Sequence, residues 1–337
     1  MSNTVHRPEE LISLATDVLL RANTSAENAA PVAEALVAAD TDGLASHGLS
    51  RLPFYADQAA SGKVNGQAAP DISARGAVVN VDARCGFAYR AINEGNEQGI
   101  AQARNSGIAA VAIGNSHHFG VAGYHVERVA RQGLIALAFG NTPAAMAPWG
   151  GSSPVFGTNP VAFAAPRDGA EPLVIDLSLS KVARGKIMMA DKAGEAIPEG
   201  WALDTDGNPT TDTKTALAGS MVPLGDAKGA ALALMVEILT AGLTGSNFAF
   251  EASSFFDAEG KPPRVAQLFL LLNPEFFGGT SGFSSRMTAL LEAIARQQGT
   301  RLPGERRLAA RAKAKDQGGI SIPDVLHQQL LDRRGQG

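Results

Sequence analysis

From about residue 75 the chain alternates short β-like runs with helical segments. The runs are Ala77–Val81, Ile108–Ile113, Leu134–Phe139, Val161–Ala164 and Leu173–Ile175, and the segments between them include Ala91–Asn105 and Val121–Gln132. A strand that buries a face needs a cover, and interleaved helices supply it, so this texture restricts the chain to the α/β class. The stretch ahead of it reads differently. Leu11, Leu14, Ala15 and Val18 recur at i, i+3, i+4 and i+7, the spacing of one helix face. Thr24 and Glu27 stand in capping-box spacing before a second helix that runs to about Asp40. A third, short helix follows the corner at Ser46-His47. These features predict a helical N-terminal segment over 1–75 and an α/β core over 76–280.

Within the core, 140–160 (GNTPAAMAPWGGSSPVFGTNP) is too rich in Gly and Pro to be regular, and loops of that length are usually functional. A loop region continues to about 225. The helix Ala227–Leu243, the strand Gln267–Leu272, the helix Ser284–Gln298 and a polar tail follow, the last two forming a C-terminal unit over 281–337. No internal repeat or low-complexity tract stands out. The length, 337 residues with 45% hydrophobic, suits two domains or one with a substantial appendage.

Several function classes fall away. With 29 basic and 33 acidic residues the net charge is −4, which offers no basic face for nucleic acid. One cysteine, Cys85, excludes an intrachain disulfide and any CxxC metal site, and fits a reducing compartment. The N-terminal MSNTVHRPEE has acidic residues where a signal peptide carries its apolar stretch. The most apolar helical stretch, Ala230–Leu243, is interrupted by Glu237 and is shorter than the ~20 residues a membrane span needs. The expectation is a soluble, cytoplasmic protein. No GxGxxG follows a strand, and neither GxxxxGK[ST] nor GxSxG occurs. The six histidines (His6, His47, His117, His118, His125 and His327) fall in no familiar zinc spacing, so no metal site is expected.

Four segments carry groups suited to chemistry. In Ser46-His47-x-x-x-Arg51 a histidine that exchanges a proton near neutral pH has a hydroxyl beside it to fix its tautomer. The planar fork of Arg51 suits a substrate carboxylate. A capping serine and a packed histidine are the plain alternative. In IGNSHHFGVAGYH (113–125) a strand runs into a polar loop with Asn115, Ser116, His117 and His118, and Phe119-Gly120 opens a helix whose N–H groups can hold an anion. A histidine-rich turn is the alternative there. In GTNPVAFAAP (157–166) with VIDLSLSKVARGKI (174–187), Asp176 and Ser178 stand at a strand end, a usual place for ligand contacts. Lys181, Arg184 and Lys186 add positive charge, or form a basic loop in solvent. In VPLGDAKGAALALMVEIL (222–239), Lys228 adds a full charge to a helix N-terminus. The basic run RLPGERRLAARAKAK (301–315) is adequate for a phosphate group, or is a solvated helix.

Together DGLASHGLSRLP, NSHHFGVAGYH, FGTNPVAFAAP, DLSLSKVARGKI and IPEGWALDTDGNPTTD resemble, in this order, the type-2 malate/L-lactate dehydrogenase-like oxidoreductases, from Leu11 to about Arg311. The resemblance implies a non-Rossmann NAD(P)-binding fold with a mostly antiparallel sheet domain and helical N- and C-terminal units, which agrees with the missing GxGxxG. It also implies a homodimer with the site between subunits. It casts His47 as proton donor, Ser46 as its hydrogen-bonded partner and Asp191 as the acid completing the relay. Arg51 holds the substrate carboxylate, and Thr158, Arg184 and Gly185 line the substrate side. NADPH, or NADH, meets His117, His118, Phe119, Gly120, Val121, Asp176, Leu177, Ser178, Lys228 and Gly229. Pro303, Gly304, Glu305, Arg306 and Arg307 return to the cofactor, their arginines at a 2′-phosphate.

One departure is Gly225-Asp226-Ala227-Lys228, where hydroxy-acid members typically read glycine-glycine-histidine or -tyrosine before the lysine. EASSFFDAEGKPPRVAQLFLLLNP (251–274) and RLPFYADQAASGKV (51–64) look most like the imine-reducing branch. That likeness implies reduction of Δ1-piperideine-2-carboxylate to L-pipecolate and of Δ1-pyrroline-2-carboxylate to L-proline. Dehydrogenation of a 2-hydroxy acid (malate, lactate, sulfolactate or ureidoglycolate) is the alternative, and a cofactor-binding homologue without catalysis a second one.

Overall fold

The structure, a computed structural model, describes residues 2–335. The chain begins with β1 (Asn3–His6), α1 (Pro8–Arg21), α2 (Ala26–Thr41) and α3 (Leu52–Ser61), with two 3₁₀ turns, Ala45–His47 and Leu49–Arg51, ahead of α3. Next come β2 (Asp71–Arg75), β3 (Val78–Asp82), α4 (Ala88–Ser106), β4 (Ile108–Ser116), α5 (Ala122–Ala130), β5 (Ile135–Gly140), β6 (Val161–Arg167) and β7 (Ala170–Leu177). A small lobe holds α6 (Arg184–Ala193), β8 (Ala202–Leu203), β9 (Pro209–Thr210), α7 (Thr213–Ala218) and β10 (Ser220–Met221). The chain continues with α8 (Ala227–Glu237), drawn out by a π turn at Ile238–Gly242, and β11 (Val265–Leu272). It finishes with α9 (Thr280–Ala295), α10 (Glu305–Asp316), β12 (Ile320–Pro323) and α11 (Asp324–Gly335).

Seven strands form the main sheet in the order β2-β3-β4-β11-β5-β6-β7. Only β3 and β4 run parallel; every other neighbouring pair is antiparallel. β11 lies between β4 and β5, with Phe269 opposite Val111 on one side and Ala138 on the other. Its sequence, VAQLFLLL, is apolar at successive positions because both faces of the strand are covered. Phe269 and Leu271 enter the core under α4 and α5, whereas Leu268 enters a second core with Met146, Phe156, Ala233 and Val236. A third core joins α1–α3 to the chain's far end, packing Leu11, Leu14, Val18, Leu36 and Tyr55 with Ile320, Ile322 and Leu330. No helix among the described residues is long and apolar enough to cross a membrane.

Several expectations need correction. The expected polar tail is in fact α10, β12 and α11, and β12 pairs with β1. The loop region before 225 contains α6, α7 and a three-stranded sheet whose strands of two residues are too short to show a period. β1 and β2 also went unread. The capping box at Thr24 and Glu27 does not form: Ser25 occupies the N-cap, and the Thr24 hydroxyl donates to Ala22 O.

Three elements are tied by a buried ion cluster. Arg311 of α10 donates from Nη1 to Glu127 Oε1 of α5 (2.7 Å) and from Nη2 to Asp42 Oδ2, just past α2 (2.9 Å). Arg307 Nη1 donates to Glu127 Oε2 (2.6 Å) and lies 3.5 Å from Asp42 Oδ2. Burial alone would raise the Glu127 carboxyl, but the Arg311 and Arg307 guanidiniums outweigh it and bring it down to about 2. At Asp42 burial wins and leaves the carboxyl raised despite the same cations, so Glu127 is the better served of the two. Removing one partner of a buried pair costs roughly 3–5 kcal/mol, because the other charge stays behind unpaired. Arg311→Ala leaves Glu127 with Arg307 but takes from Asp42 its hydrogen-bonded cation, so a loss at the lower end of that range, about 3 kcal/mol, is expected at pH 7 in urea unfolding. The Glu127 contribution is complete above the ordinary carboxylate range near 4.5 and is lost as pH falls through about 2. The gap between variant and parent should accordingly narrow on acidification, and a gap under ~1 kcal/mol at pH 7 would count against the cluster.

Candidate functional site

The turn at residues 46–51 wraps around a buried carboxylate. Asp40 Oδ2 accepts the Leu49 N–H at 2.7 Å, and burial pushes its pKa up to about 6. A Cβ on Gly48 would lie 2.3 Å from that carboxyl group, so the Ser-His-Gly sequence needs its glycine here. Ser46 Oγ and His47 Nδ1 are 3.0 Å apart. When Nδ1–H donates to the hydroxyl, Nε2 carries the lone pair that takes or returns a proton. Burial, followed by the neighbouring Arg51 cation, pushes His47 down to about 4.

Arg51 is held by its inner nitrogen and its flat face. Nε donates to Ser46 O at 2.7 Å, and the guanidinium carbon sits 4.5 Å from the centre of the Phe256 ring. Among the described residues its two terminal nitrogens have no hydrogen-bond partner, which leaves a forked donor for a carboxylate.

α3 builds the rest of this wall. Tyr55 and Gln58 follow Arg51 by four and seven positions and so share one helix face. Tyr55 OH is 2.5 Å from His118 Nδ1 and 3.2 Å from Tyr89 OH. Gln58 Oε1 accepts from His117 Nε2 (3.0 Å), while its amide donates to Phe255 O (2.8 Å). The His118 ring lies 5.8 Å from that of His47, tilted 28°. Burial first, then nearby cations, drives His117 to about 3 and His118 well down. His125 falls to about 4 through burial; its Nε2–H donates to Phe119 O, and its ring stacks on Phe119 at 5.7 Å. All four imidazoles are thus neutral at pH 7.

Beyond the histidines the loop turns through Gly120, whose φ is +67°, and a Cβ there would meet Tyr89 OH at 2.6 Å. Val121 caps α5, and the Gly123 N–H of its first turn donates to Asp176 Oδ2 (2.7 Å). This bond brings the end of β7, with accessible Asp176 and Leu177, beside the 117–121 loop. Ser178 Oγ is 2.9 Å from Ser180 Oγ. Gly304 crosses the same strand, its would-be Cβ 3.3 Å from Val174 O, so Pro303–Arg306 reaches this place as well. Open backbone donors, an accessible carboxylate and the exposed Lys228 and Arg306 are a donor set that fits a phosphorylated dinucleotide.

Other expected residues stand differently. Arg307 is committed to Glu127 and Asp42, so of the two arginines assigned to a 2′-phosphate only Arg306 is exposed. Asp191 accepts from Thr213 Oγ1 at 2.9 Å and has no bond to Ser46 or His47, so the structure does not assemble the three-residue relay. Gly229 answers to packing, since a Cβ there would lie 2.0 Å from Leu224 O. Thr158 N–H donates to Thr142 Oγ1 (3.0 Å), and Arg184 Nη2 donates to Leu217 O (3.1 Å). Gly185 places the start of α6 against the dyad, its would-be Cβ 3.9 Å from Ser46 Cβ. Asp40, Tyr55, Gln58 and the Phe255-Phe256 pair were missed. The i+4, i+7 spacing from Arg51 was the available signal, but such a stripe also reads as ordinary core.

The chain matches the malate/L-lactate dehydrogenase family over residues 6–331. It belongs to that family. As a member it is an NAD(P)H-dependent oxidoreductase. Over 298 residues, 88% of each chain, it is 59% identical to a (2R)-3-sulfolactate dehydrogenase (NADP(+)) of Chromohalobacter salexigens. A Δ1-pyrroline-2-carboxylate/Δ1-piperideine-2-carboxylate reductase of Pseudomonas putida is 42% identical over 332 residues, 97% of this chain and 96% of that one. The crystal structure of Δ1-piperideine-2-carboxylate reductase from Pseudomonas syringae pv. tomato superposes with a TM-score of 0.92 at 38% identity, covering 98% of this chain and 99% of that one.

The neutral histidines make acid stability a test of this geometry. An unfolded histidine titrates near 6.5, whereas His47, His117 and His125 resist protonation in the fold until about pH 3–4. These rings make the unfolded chain bind more protons as pH falls below 6.5 and so lower the unfolding free energy, against the single proton that Asp40, raised to about 6, takes up earlier in the fold. Denaturation midpoints measured from pH 7.5 to 4.5 should fall steadily, and a flat profile would contradict the buried neutral rings.

Proposed function

We propose that this family member is an NADP(H)-dependent 2-hydroxy-acid dehydrogenase that interconverts 3-sulfolactate and its 2-oxo acid. The observation that carries the reading is the 59% identity, over 88% of both chains, to a sulfolactate dehydrogenase. The site supports it chemically. Such a substrate has two anionic ends, and the free fork of Arg51 suits the carboxylate. The start of α6, where Gly185 approaches Ser46 and whose first turn carries Arg184 and Lys186, adds positive potential for the second anion. Thr158 lines the same side.

NADP(H) supplies or receives the hydride. His47 Nε2 takes the hydroxyl proton during oxidation, and Ser46 holds the ring in the tautomer that leaves Nε2 basic. Burial and then the Arg51 cation depress His47, which keeps Nε2 unprotonated and available as that base at pH 7. A substrate anion on Arg51 offsets the cation that lowers His47, so the ring regains proton affinity when it must protonate the oxygen in the reverse direction. Asp40 secures the turn in place of the relay acid sought at Asp191. The loop 117–121, Asp176–Ser178, Lys228 and Pro303–Arg306 would hold the cofactor, and Arg306 would neutralise a 2′-phosphate. In this reading the 1–75 unit supplies the proton and carboxylate groups, and the 76–280 core together with 303–306 of the C-terminal unit supplies the cofactor contacts.

A second reading is reduction of Δ1-piperideine-2-carboxylate or Δ1-pyrroline-2-carboxylate, supported by the 42% identity over 97% of this chain to a reductase of those substrates. Arg51 and His47 serve a C=N bond in the same positions. Absorbance at the nicotinamide band, followed with sulfolactate, malate and L-lactate in one direction and both imines in the other, separates the two. Sulfolactate is expected to be turned over fastest, and faster turnover of the imines would install the second reading instead. His47→Asn should lower kcat by about 10²–10⁴ with NADPH binding retained. Arg51→Gln should raise KM for the carboxylate substrate by roughly 10–100-fold.

A second copy of the chain covers the outer face of α8 and its π turn. Leu232, Leu234, Met235, Ile238 and Leu243 are exposed there, with Phe250 nearby in sequence, and a helix apolar all round is a helix meant to be covered. Ile238→Asp is expected to give monomers in sedimentation velocity where the parent sediments as a dimer.

A further inference from the structure

Residues 245–264, ahead of β11, form no regular element, yet their central turn is fastened to α3 by a lysine that water does not reach. Gly62, at φ +81°, ends α3 and reverses the chain, so that Lys63 runs back inward. Its side chain is 1% exposed. All three ammonium hydrogens have acceptors: Ser254 O at 2.8 Å, Asp257 Oδ1 at 2.8 Å and Asp257 O at 3.1 Å. Gln58 and Ser61 add bonds from the same helix to Phe255 O (2.8 Å) and Ala258 O (2.9 Å).

The two residues inside this fastening touch the site from opposite sides. The Phe255 ring lies 5.1 Å from His117 and 5.0 Å from His118. Phe256 carries the Arg51 guanidinium on its face, and Phe54 meets its edge at 5.6 Å. A buried ammonium is costly, and an apolar residue would anchor a merely decorative loop at less expense of solvation. The bonds that Lys63 makes are directional, two to backbone carbonyls and one to the Asp257 carboxylate, which fixes the orientation of a turn as well as its presence.

We propose that Lys63 is a positioning residue for the carboxylate site: by holding the Ser254–Asp257 turn it seats Phe256 against Arg51 and Phe255 against the paired histidines. The proposal rests on the reading of Arg51 as a carboxylate clamp, and is independent of which 2-oxo acid or imine is the substrate. Lys63 itself touches no reacting group. Without its ammonium the turn relaxes, Arg51 loses the ring that restricts its fork, and the carboxylate is held less well, while the cofactor contacts on the 117–121 loop and β7 remain.

The test uses the full-length chain and its Lys63→Met, Lys63→Arg and Asp257→Asn variants, with Lys261→Ala, an exposed lysine of the same loop, as control. Three quantities are read: NADPH affinity by fluorescence titration, affinity of the NADPH-loaded protein for oxalate by calorimetry, and deuterium uptake of 253–258. KM and kcat are added for whichever acid or imine the parent turns over fastest. Lys63→Met is expected to raise KM and weaken oxalate by about tenfold, with kcat within about threefold and NADPH affinity unchanged. Uptake over 253–258 should rise in the same variant. Lys63→Arg should restore most of the loss, Asp257→Asn should move the same quantities less, and Lys261→Ala should move none.

Unchanged oxalate affinity and KM in a Lys63→Met protein with faster loop exchange would overturn the proposal, as would equal losses for NADPH and oxalate. If Lys63→Met does not fold, an Asp257→Asn protein with parental KM and oxalate affinity overturns it too. A parent that turns over neither acids nor imines would refute the proposed activity, and the oxalate titration would still decide the role of Lys63. A parent that fails to bind oxalate would remove the clamp and the proposal together.

Discussion

The position of β11 governs most of what this chain can do. A strand from residues 265–272 enters the sheet between β4 and β5, antiparallel to both, so the sheet cannot close until most of the chain is present. Its register carries the consequence into the site. Val265 pairs with Ser116, the residue before the two histidines, and Gln267 donates to His117 O at 3.0 Å. The segment just ahead of β11 must therefore arrive over the histidine loop, and this brings Phe255 and Phe256 against α3. One pairing thus supports the sheet's centre, the shape of the histidine loop and the aromatic wall beside Arg51.

Electrostatics divides the arginines by task. Arg307 and Arg311 neutralise Glu127 and Asp42 and draw α10 onto α2 and α5. Arg51 is different: its inner nitrogen is bonded, its face is covered, and its terminal nitrogens stay unpaired. Around it stand imidazoles that burial keeps neutral, so the cation is not competed for by other positive charge. A carboxylate entering such a place meets a stronger field than it would in water. In the proposed reading the same placement would let one site serve a 2-oxo acid or a cyclic imine, with the anion at Arg51 whatever atom takes the proton from His47.

Much of the site could be read along the chain, and the unread part has a common cause. Ser46, His47 and Arg51 are close in sequence, and the structure joins them through bonds spanning five residues or fewer. The 117–121 loop and the end of β7 were likewise recognisable from glycines and strand ends. Tyr55 and Gln58 escaped because apolar spacing on α3 describes a core as well as it describes a site wall. Asp191 looked suited to a relay by its place in a motif, yet its hydroxyl partner, Thr213, lies in a separate short helix of the small lobe. The apparent polar tail concealed a strand and two helices, because β12 is only four residues long and its partner is at the opposite terminus. Beside the likeness of the 251–274 stretch to the imine branch stands identity to a sulfolactate dehydrogenase, 59% over 88% of the chain, against 42% over 97% for the reductase.

The sequence by itself determined what depends on neighbours along the chain. It set the helix faces, the glycines where a Cβ cannot fit, the absence of a phosphate loop, and the chemical types available at Ser46, His47 and Arg51. Tertiary structure alone decided which of those groups are free to act. Arg307 is occupied because Glu127 lies 2.6 Å away across 180 residues of sequence, and Lys63 is buried because β11 returns Ser254 and Asp257 to it from 191 and 194 residues on. Charge and hydrogen-bonding capacity are properties of a residue, whereas burial and pairing are properties of the segments brought around it. Those segments are chosen by strand order, which local spacing does not encode.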